Sequence, residues 1–263
     1  MPPHLNPSGQ TEYREFLEAA NHRAFAVAPG GAWGWASAEP SAQAAEDKAL
    51  AICQGQTPQR CVSYAVDEKT VFDVVAWPRL WRPYASASQA KRATLGRERD
   101  QRLADLAYTD AKGVHRNLSA LKGKVVVVHF WGAWCPPCRQ EMPELQKLRK
   151  ALADQPDIAF VVMQAREKVD VSRQWAERQG IDLPLVDSGS TGDGDTQFQL
   201  AGGGRIKDRD IASRFPTTYV LDKNGLVLFS HIGPVHDWLQ YEAFLRDAAG
   251  QSGQSGQSGQ SAR

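Results

Sequence analysis

Lys124-Val125-Val126-Val127-Val128-His129-Phe130-Trp131-Gly132-Ala133-Trp134-Cys135-Pro136-Pro137-Cys138-Arg139-Gln140-Glu141 is the stretch that decides how this chain folds. Its apolar, β-branched first half reads as a strand buried in a parallel or mixed sheet. A short turn then delivers two cysteines, separated by two prolines, to the start of a predicted helix. Prolines suit a first helical turn, where the N–H groups they lack have no intrahelical partner. Met142, Leu145, Leu148 and Leu152 carry the helix onward with one apolar face. The C-x-x-C pair is therefore expected at the positive end of a helix on the sheet's edge. Unpaired N–H groups and the helix dipole favour a thiolate there.

The 263 residues suit one large domain or two smaller ones, and 42% hydrophobic content supplies a sizeable core. A formal net charge of +1, from 31 basic and 30 acidic residues, leaves no nucleic-acid footprint and no strong attraction to a membrane surface. The longest apolar run, Val125 to Cys135, is far too short to span a bilayer. Met1 to Gln10 lacks the apolar centre of a signal peptide. Four cysteines fall into two pairs, Cys53 with Cys61 and Cys135 with Cys138. The first pair lies outside the redox motif and has no further metal ligands near it. It reads as a structural staple ahead of a second redox pair, and a staple favours an oxidising compartment. The expected location is periplasmic or otherwise extracytoplasmic, with an export signal removed from this form; the cytoplasm is the alternative.

Working outward, residues 1–21 form an N-terminal segment with a short helix from Tyr13 to Ala20. Ala24 to Ala28, a Pro29-Gly30-Gly31 turn and Trp33 to Ala36 read as a β-hairpin. Ser41 opens a helix with Ala45, Ala49 and Cys53 on one face. Val62, Tyr64 and Val66 alternate as a strand, and Thr70 to Trp77 suggests another. Residues 22–77 thus read as a small α+β domain, and 78–102 as a Pro-broken, aromatic and basic linker partly packed on a neighbouring domain, with a partner-contacting arm as the alternative. A second domain spans 103–249. It opens with a short hairpin around Asp110 to Gly113 and contains the redox stretch, with a kink expected at Pro143. A strand over Ile158–Met163, a helix over Val169–Gln179 and a short strand at Leu183–Val186 follow. Asp187 to Gly204 reads as a flexible loop. Its Asp193-Gly194-Asp195 lacks the terminal Glu of a calcium loop, and Gly202-Gly203-Gly204 lacks the Lys-Ser/Thr of a phosphate loop. Phe215 to Phe229 reads as an antiparallel hairpin around Lys223-Asn224-Gly225. Trp238, Tyr241, Phe244 and Leu245 stripe a closing helix, and the Gln-Ser-Gly repeats of 250–263 read as a disordered tail.

Two resemblances come from these motifs. The hairpin, the Ala49-Leu50-Ala51-Ile52-Cys53 helix end and the Cys61 strand resemble a small domain of unknown function in exported bacterial proteins, which implies export. Phe130 to Pro143, followed by Phe215-Pro216-Thr217-Thr218-Tyr219-Val220-Leu221-Asp222, resembles the TlpA-like group of thioredoxin-fold proteins. That group includes the disulfide reductases serving cytochrome c maturation, and the likeness covers about 103–249. It implies an α/β thioredoxin fold, a central mixed sheet flanked by helices, preceded here by the small α+β domain. It also implies a thiol–disulfide oxidoreductase acting on protein disulfides, most simply as a reductase, with no bound cofactor or metal. A membrane-bound donor would keep it reduced.

The resemblance assigns Cys135 as the exposed nucleophile and Cys138, one turn on and more buried, as the resolving thiol. Pro216 matches the group's cis-proline, and the peptide group of Phe215 is expected to pair with the substrate backbone. Trp134, Pro136, Phe215 and Pro216 are thus the expected substrate-binding residues. Thioredoxins themselves carry a buried Asp six residues before the first cysteine, and here that position is His129. Glu141, three residues after Cys138 and on its helix face, is the expected proton acceptor. His129 reads as a packed core histidine. A thiol peroxidase would need a Thr where Gly132 stands, three residues before Cys135. A redox-domain adaptor, with the N-terminal domain recruiting a partner, is the non-enzymatic alternative.

Overall fold

The computed structural model describes residues 1–250, and the Gln-Ser-Gly tail lies outside the described residues. The chain divides into two compact units, Met1–Leu80 with Val235–Gln240, and Trp81–Pro234 with the chain from Tyr241 onward.

The first unit opens with α1 (Pro7–Glu18), which starts earlier than the expected Tyr13. Asn6 caps it by accepting the Gly9 N–H, and Pro7 fills its first turn. β1 (Ala24–Val27), β2 (Trp33–Ala36), α2 (Ala42–Gln54), β3 (Val62–Val66) and β4 (Lys69–Thr70) follow, with sheet order β2-β1-β3-β4. Alternation along β1 sends Ala24 and Ala26 towards Ala45, Ala49, Cys53 and Cys61 in one apolar cluster. Phe25 faces the other way, against Tyr13 and Phe16 of α1 at 5.1 and 5.6 Å between ring centres. Gly34 lets α2 approach β2: a Cβ there would lie 2.5 Å from the Ala49 carbonyl oxygen. Cys53 and Cys61 are joined as a disulfide. The expected strand over 70–77 does not form. Asp73 Oδ1 accepts the N–H groups of Val75 and Ala76, each at 2.9 Å, and turns the chain into the 3₁₀ segment Trp77–Arg79.

The second unit comprises α3 (Ala87–Arg92), β5 (Ala107–Thr109), β6 (His115–Asn117), β7 (Val125–Trp131), α4 (Pro136–Ala151), β8 (Ile158–Gln164), α5 (Val169–Arg178), β9 (Leu185–Val186), β10 (Gln197–Gln199), β11 (Arg205–Lys207), α6 (Asp208–Ile211), β12 (Thr217–Leu221), β13 (Val227–Ile232) and α7 (Glu242–Gly250). Its main sheet runs β13-β12-β7-β8-β9. β12 pairs antiparallel with both β7 and β13, while β7, β8 and β9 are mutually parallel. A mixed sheet with the redox strand at its centre and flanking helices is the thioredoxin fold. Every residue of β7 is buried. Val126, Val128 and Phe130 join Leu106, Tyr108, Met163 and Tyr219 in the core of one face. Val125, Val127 and His129 alternate to the other face, and α7 packs against β7.

Three stretches depart from expectation in this unit. Residues 81–102, expected as a linker only partly packed on a neighbouring domain, belong to this unit throughout. Trp81 is 1% exposed, with its ring 5.3 Å from Phe229 and 4.8 Å from Phe244. Arg82 grips Asp247 through two N–H groups, and the Tyr84 hydroxyl donates to the same carboxylate at 2.7 Å. The Gly-rich loop contains the β10–β11 hairpin, anchored by Phe198 (1% exposed) 5.2 Å from Phe130. Asp195 there pairs with Arg205 at 2.6 Å. The closing stripe is also divided. A 3₁₀ turn over Trp238–Tyr241 precedes α7, and Val235–Gln240 belongs to the first unit, where the His4 N–H donates to Gln240 Oε1. α4 runs on through Pro143 as one helix, as its apolar spacing predicts.

Replacing Cys53 and Cys61 together by alanine removes a cross-link whose loop-closure entropy is worth about 2–3 kcal/mol. Urea unfolding of the double variant is expected to show a loss of that size, and an unshifted transition would contradict it.

Candidate active site

Cys135 is the N-cap residue of α4. Its N–H donates to the Gly132 carbonyl at 3.0 Å, closing the turn that leaves β7. Pro136 and Pro137 occupy the first two helical positions. The Cys138 N–H donates to Cys135 Sγ at 3.3 Å, so the sulfur takes the place of an N-cap oxygen. The two cysteines are joined as a disulfide. Opposite stands the Phe215–Pro216 peptide, which is cis. The Phe215 carbonyl oxygen lies 3.6 Å from Cys135 Sγ although the residues are eighty positions apart.

Cys135 was expected to be exposed, yet it is 3% exposed; Cys138 is fully buried. The sulfur sits beside Phe215, whose ring packs edge-on against Trp134 at 5.5 Å, while Trp134 remains 45% exposed. Pro136 is exposed and Pro216 buried. Six of the expected site residues thus converge at the start of α4 and the entry to β12. Glu141 lies deeper, 2% exposed on the buried face of α4 with Cys138, Met142 and Leu145.

Three further residues build the site and escaped the motifs. Ala165, Arg166 and Glu167 extend the chain beyond β8. Trp134 Nε1–H donates to the Ala165 carbonyl at 2.8 Å, and the Ala133 N–H donates to Glu167 Oε1 at 2.7 Å. Glu167 is buried and also accepts the Ser172 hydroxyl. Gly132 clears the way for the indole, because a Cβ there would fall 2.2 Å from Trp134 Nε1. Arg166 adopts φ of 60°, a left-handed conformation that costs a non-glycine residue about 1–2 kcal/mol. It is held by two N–H groups on Asp208, a carboxylate 1% exposed. Arg166 and Arg209 place their guanidinium carbons 5.6 and 5.7 Å from the centre of the Phe215 ring. The one available signal was position, since the C-terminal ends of parallel strands gather functional residues. Arg209 lies in the four-residue helix α6 and carried no such signal.

His129 stands across from Thr218 in the β7–β12 register, with Nδ1 2.9 Å from the Thr218 hydroxyl. It is a packed core histidine, and burial pushes its pKa down from 6.5 to about 3.

Residues 89–244 match the Redoxin family. The chain therefore belongs to the Redoxin family, as a TlpA-like, thioredoxin-fold thiol–disulfide oxidoreductase. Among individual relatives, the thioredoxin-like protein YneN of Bacillus subtilis (strain 168) is 30% identical over 154 residues, covering 58% of this chain and 81% of YneN. The thiol-disulfide oxidoreductase ResA of Geobacillus kaustophilus (strain HTA426) is 34% identical over 123 residues, 47% of this chain. This chain spans 63% of that ResA, just under two thirds of its length. A thiol:disulfide interchange protein of Chlorobium tepidum TLS, whose structure is solved, is 24% identical. It covers 57% of this chain and 96% of its own, with a TM-score of 0.41.

An unfolded chain protonates His129 near pH 6.5, whereas the folded one does so only near 3. Between those values the unfolded state binds more protons, so stability falls as pH is lowered through the window. His129→Gln is expected to flatten the urea-stability profile between roughly pH 4 and 6, where one such proton contributes at most about 1.4 kcal/mol per pH unit. Equal slopes in the two proteins would remove His129 as the cause.

Proposed function

We propose that this protein reduces disulfides in protein substrates through the Cys135–Cys138 dithiol. What supports the reading is the juxtaposition of Cys135 Sγ with the Cys138 N–H at 3.3 Å and the Phe215 carbonyl at 3.6 Å, just before Pro216. In the reduced protein the start of α4 favours the Cys135 thiolate. That thiolate attacks one sulfur of the substrate disulfide, and the other leaves as a thiolate and takes up a proton. Cys138 then passes its proton to the Glu141 carboxylate and attacks Cys135 Sγ. The second substrate sulfur is released as a thiol, and Cys135–Cys138 becomes the disulfide. Two electrons have moved to the substrate. The peptide group of Phe215 binds the substrate backbone beside Pro216, and Trp134 and Pro136 border the approach.

A dithiol donor must restore the pair, and a membrane-bound one suits an extracytoplasmic location. The Cys53–Cys61 disulfide favours that oxidising compartment. Among the described residues no helix is long and apolar enough to cross a membrane.

Cys135→Ser is expected to abolish insulin reduction, while Cys138→Ser accumulates substrates disulfide-linked to Cys135 on non-reducing gels. Glu141→Gln is expected to slow resolution of the mixed disulfide on the order of 10²-fold at neutral pH, with the gap closing as pH rises and Cys138 ionises unaided. Retained insulin reduction in Cys135→Ser would end this mechanism. At equilibrium with a glutathione buffer poised at about −240 mV, a reductant's pair should be mostly disulfide. A pair found mostly as dithiol would reverse the assigned direction.

A further inference from the structure

We infer that the surface beside Cys135 selects substrate segments with acidic side chains next to the reacting cysteine, and that Arg209 determines this preference. The inference rests on the dithiol reading above and adds a substrate class to it.

The observation is an asymmetry between two arginines on one ring. Phe215, the residue before Pro216, carries the Arg166 guanidinium 5.6 Å from its ring centre and that of Arg209 at 5.7 Å. Arg166 already has its counter-ion, because Asp208 takes two of its N–H groups, one of them at 3.0 Å. Arg209 has none. It is exposed, its side chain donates to the Ser213 carbonyl, and among the described residues it joins no ion pair. Arg214, one residue before Phe215, and Arg139, one turn beyond Cys135 on α4, are also exposed and in no ion pair among the described residues. Asp210, beside Arg209 in the chain, is an exposed carboxylate that subtracts from this charge. Even so, three unpaired guanidinium groups outnumber it.

A guanidinium resting against an aromatic ring keeps its charge, since the ring's quadrupole attracts it without neutralising it. A ring contact also orders the side chain before any substrate arrives, which lowers the entropy lost on binding. A substrate strand that meets the Phe215 peptide group would run past Phe215. A Glu or Asp next to its cysteine would then complete the pair with Arg209, through charge-assisted hydrogen bonds of the guanidinium–carboxylate kind. A Lys at the same place would meet like charge. Trp134, 45% exposed and edge-on to Phe215, widens the apolar floor on which such a segment would lie.

The test uses the full chain, reduced beforehand and freed of reductant, in single turnovers. In each, the Cys135/Cys138 dithiol gives two electrons and two protons to the substrate disulfide, which ends as two thiols. Two oxidised peptides differ only in having Glu or Lys beside their cysteines, and uncharged hydroxyethyl disulfide serves as a third substrate. The Glu peptide is expected to react about fivefold faster than the Lys peptide at low salt, the scale of one exposed ion pair. The two rates should converge near roughly 0.5 M salt as the charges are screened. Arg209→Glu should invert the order, and Arg209→Lys should retain it. A ratio of rates within one variant does not depend on how much of the protein is active. Equal rates for the two peptides, or a Glu preference surviving Arg209→Glu, overturns the inference. If hydroxyethyl disulfide is still reduced in those cases, the dithiol reading stands and only the charge preference falls. Failure to reduce any of the three overturns both.

Discussion

The hydrogen-bonded burial of β7 between β8 and β12 sets the position of everything at the dithiol. All seven of its residues are buried, with one face on Leu106, Tyr108 and Tyr219 and the other on the side of α7. A one-residue slip would exchange the two faces and move His129 into the wholly apolar cluster of Val126, Val128 and Phe130, so the register is strongly specified. The same ladder pairs Phe130 with Thr217, which brings Pro216 level with the end of β7. One pairing therefore positions both partners of the site: the turn that ends in Cys135 and the peptide group that faces it.

The turn itself is held from the side by the chain leaving β8. Ala165 accepts from the Trp134 indole, Glu167 accepts from the Ala133 N–H, and the Ala165 N–H donates back to the Trp131 carbonyl at 2.8 Å. These contacts add to the two prolines in holding the C-x-x-C loop in its N-cap geometry. Arg166, between those two anchors, carries the unfavourable left-handed backbone, and its Asp208 pair ties β8's exit to α6. Backbone conformation, ion pair and aromatic contact thus meet at Phe215.

Much of this architecture was readable from local pattern. β7, the start of α4 and the β12–β13 hairpin each announce themselves by a run of β-branched residues, a proline pair after a cysteine, or an Asn-Gly turn. The errors have local causes too. Asp73 captures two N–H groups and ends a strand that β-propensity favoured, while Phe198 makes a two-strand hairpin out of a glycine-rich stretch. Residues 81–102 read as linker because prolines and charges break their periodicity. Trp81, packed on Phe229 and Phe244, nevertheless joins them to the second unit's core.

By itself the sequence pointed to the dithiol and to the helix that begins at it, because both follow from local residue pattern, whereas the proline across from them was expected only through the resemblance to the TlpA-like group. Only the tertiary structure decided what surrounds Phe215. Arg166 and Asp208 meet across forty-two residues, and Arg209 reaches the ring from a four-residue helix that no periodicity marks. Such contacts are specified by the strand order and the exit direction of β8. A charged residue's role there depends on which counter-ion the fold brings to it, and that information is not local.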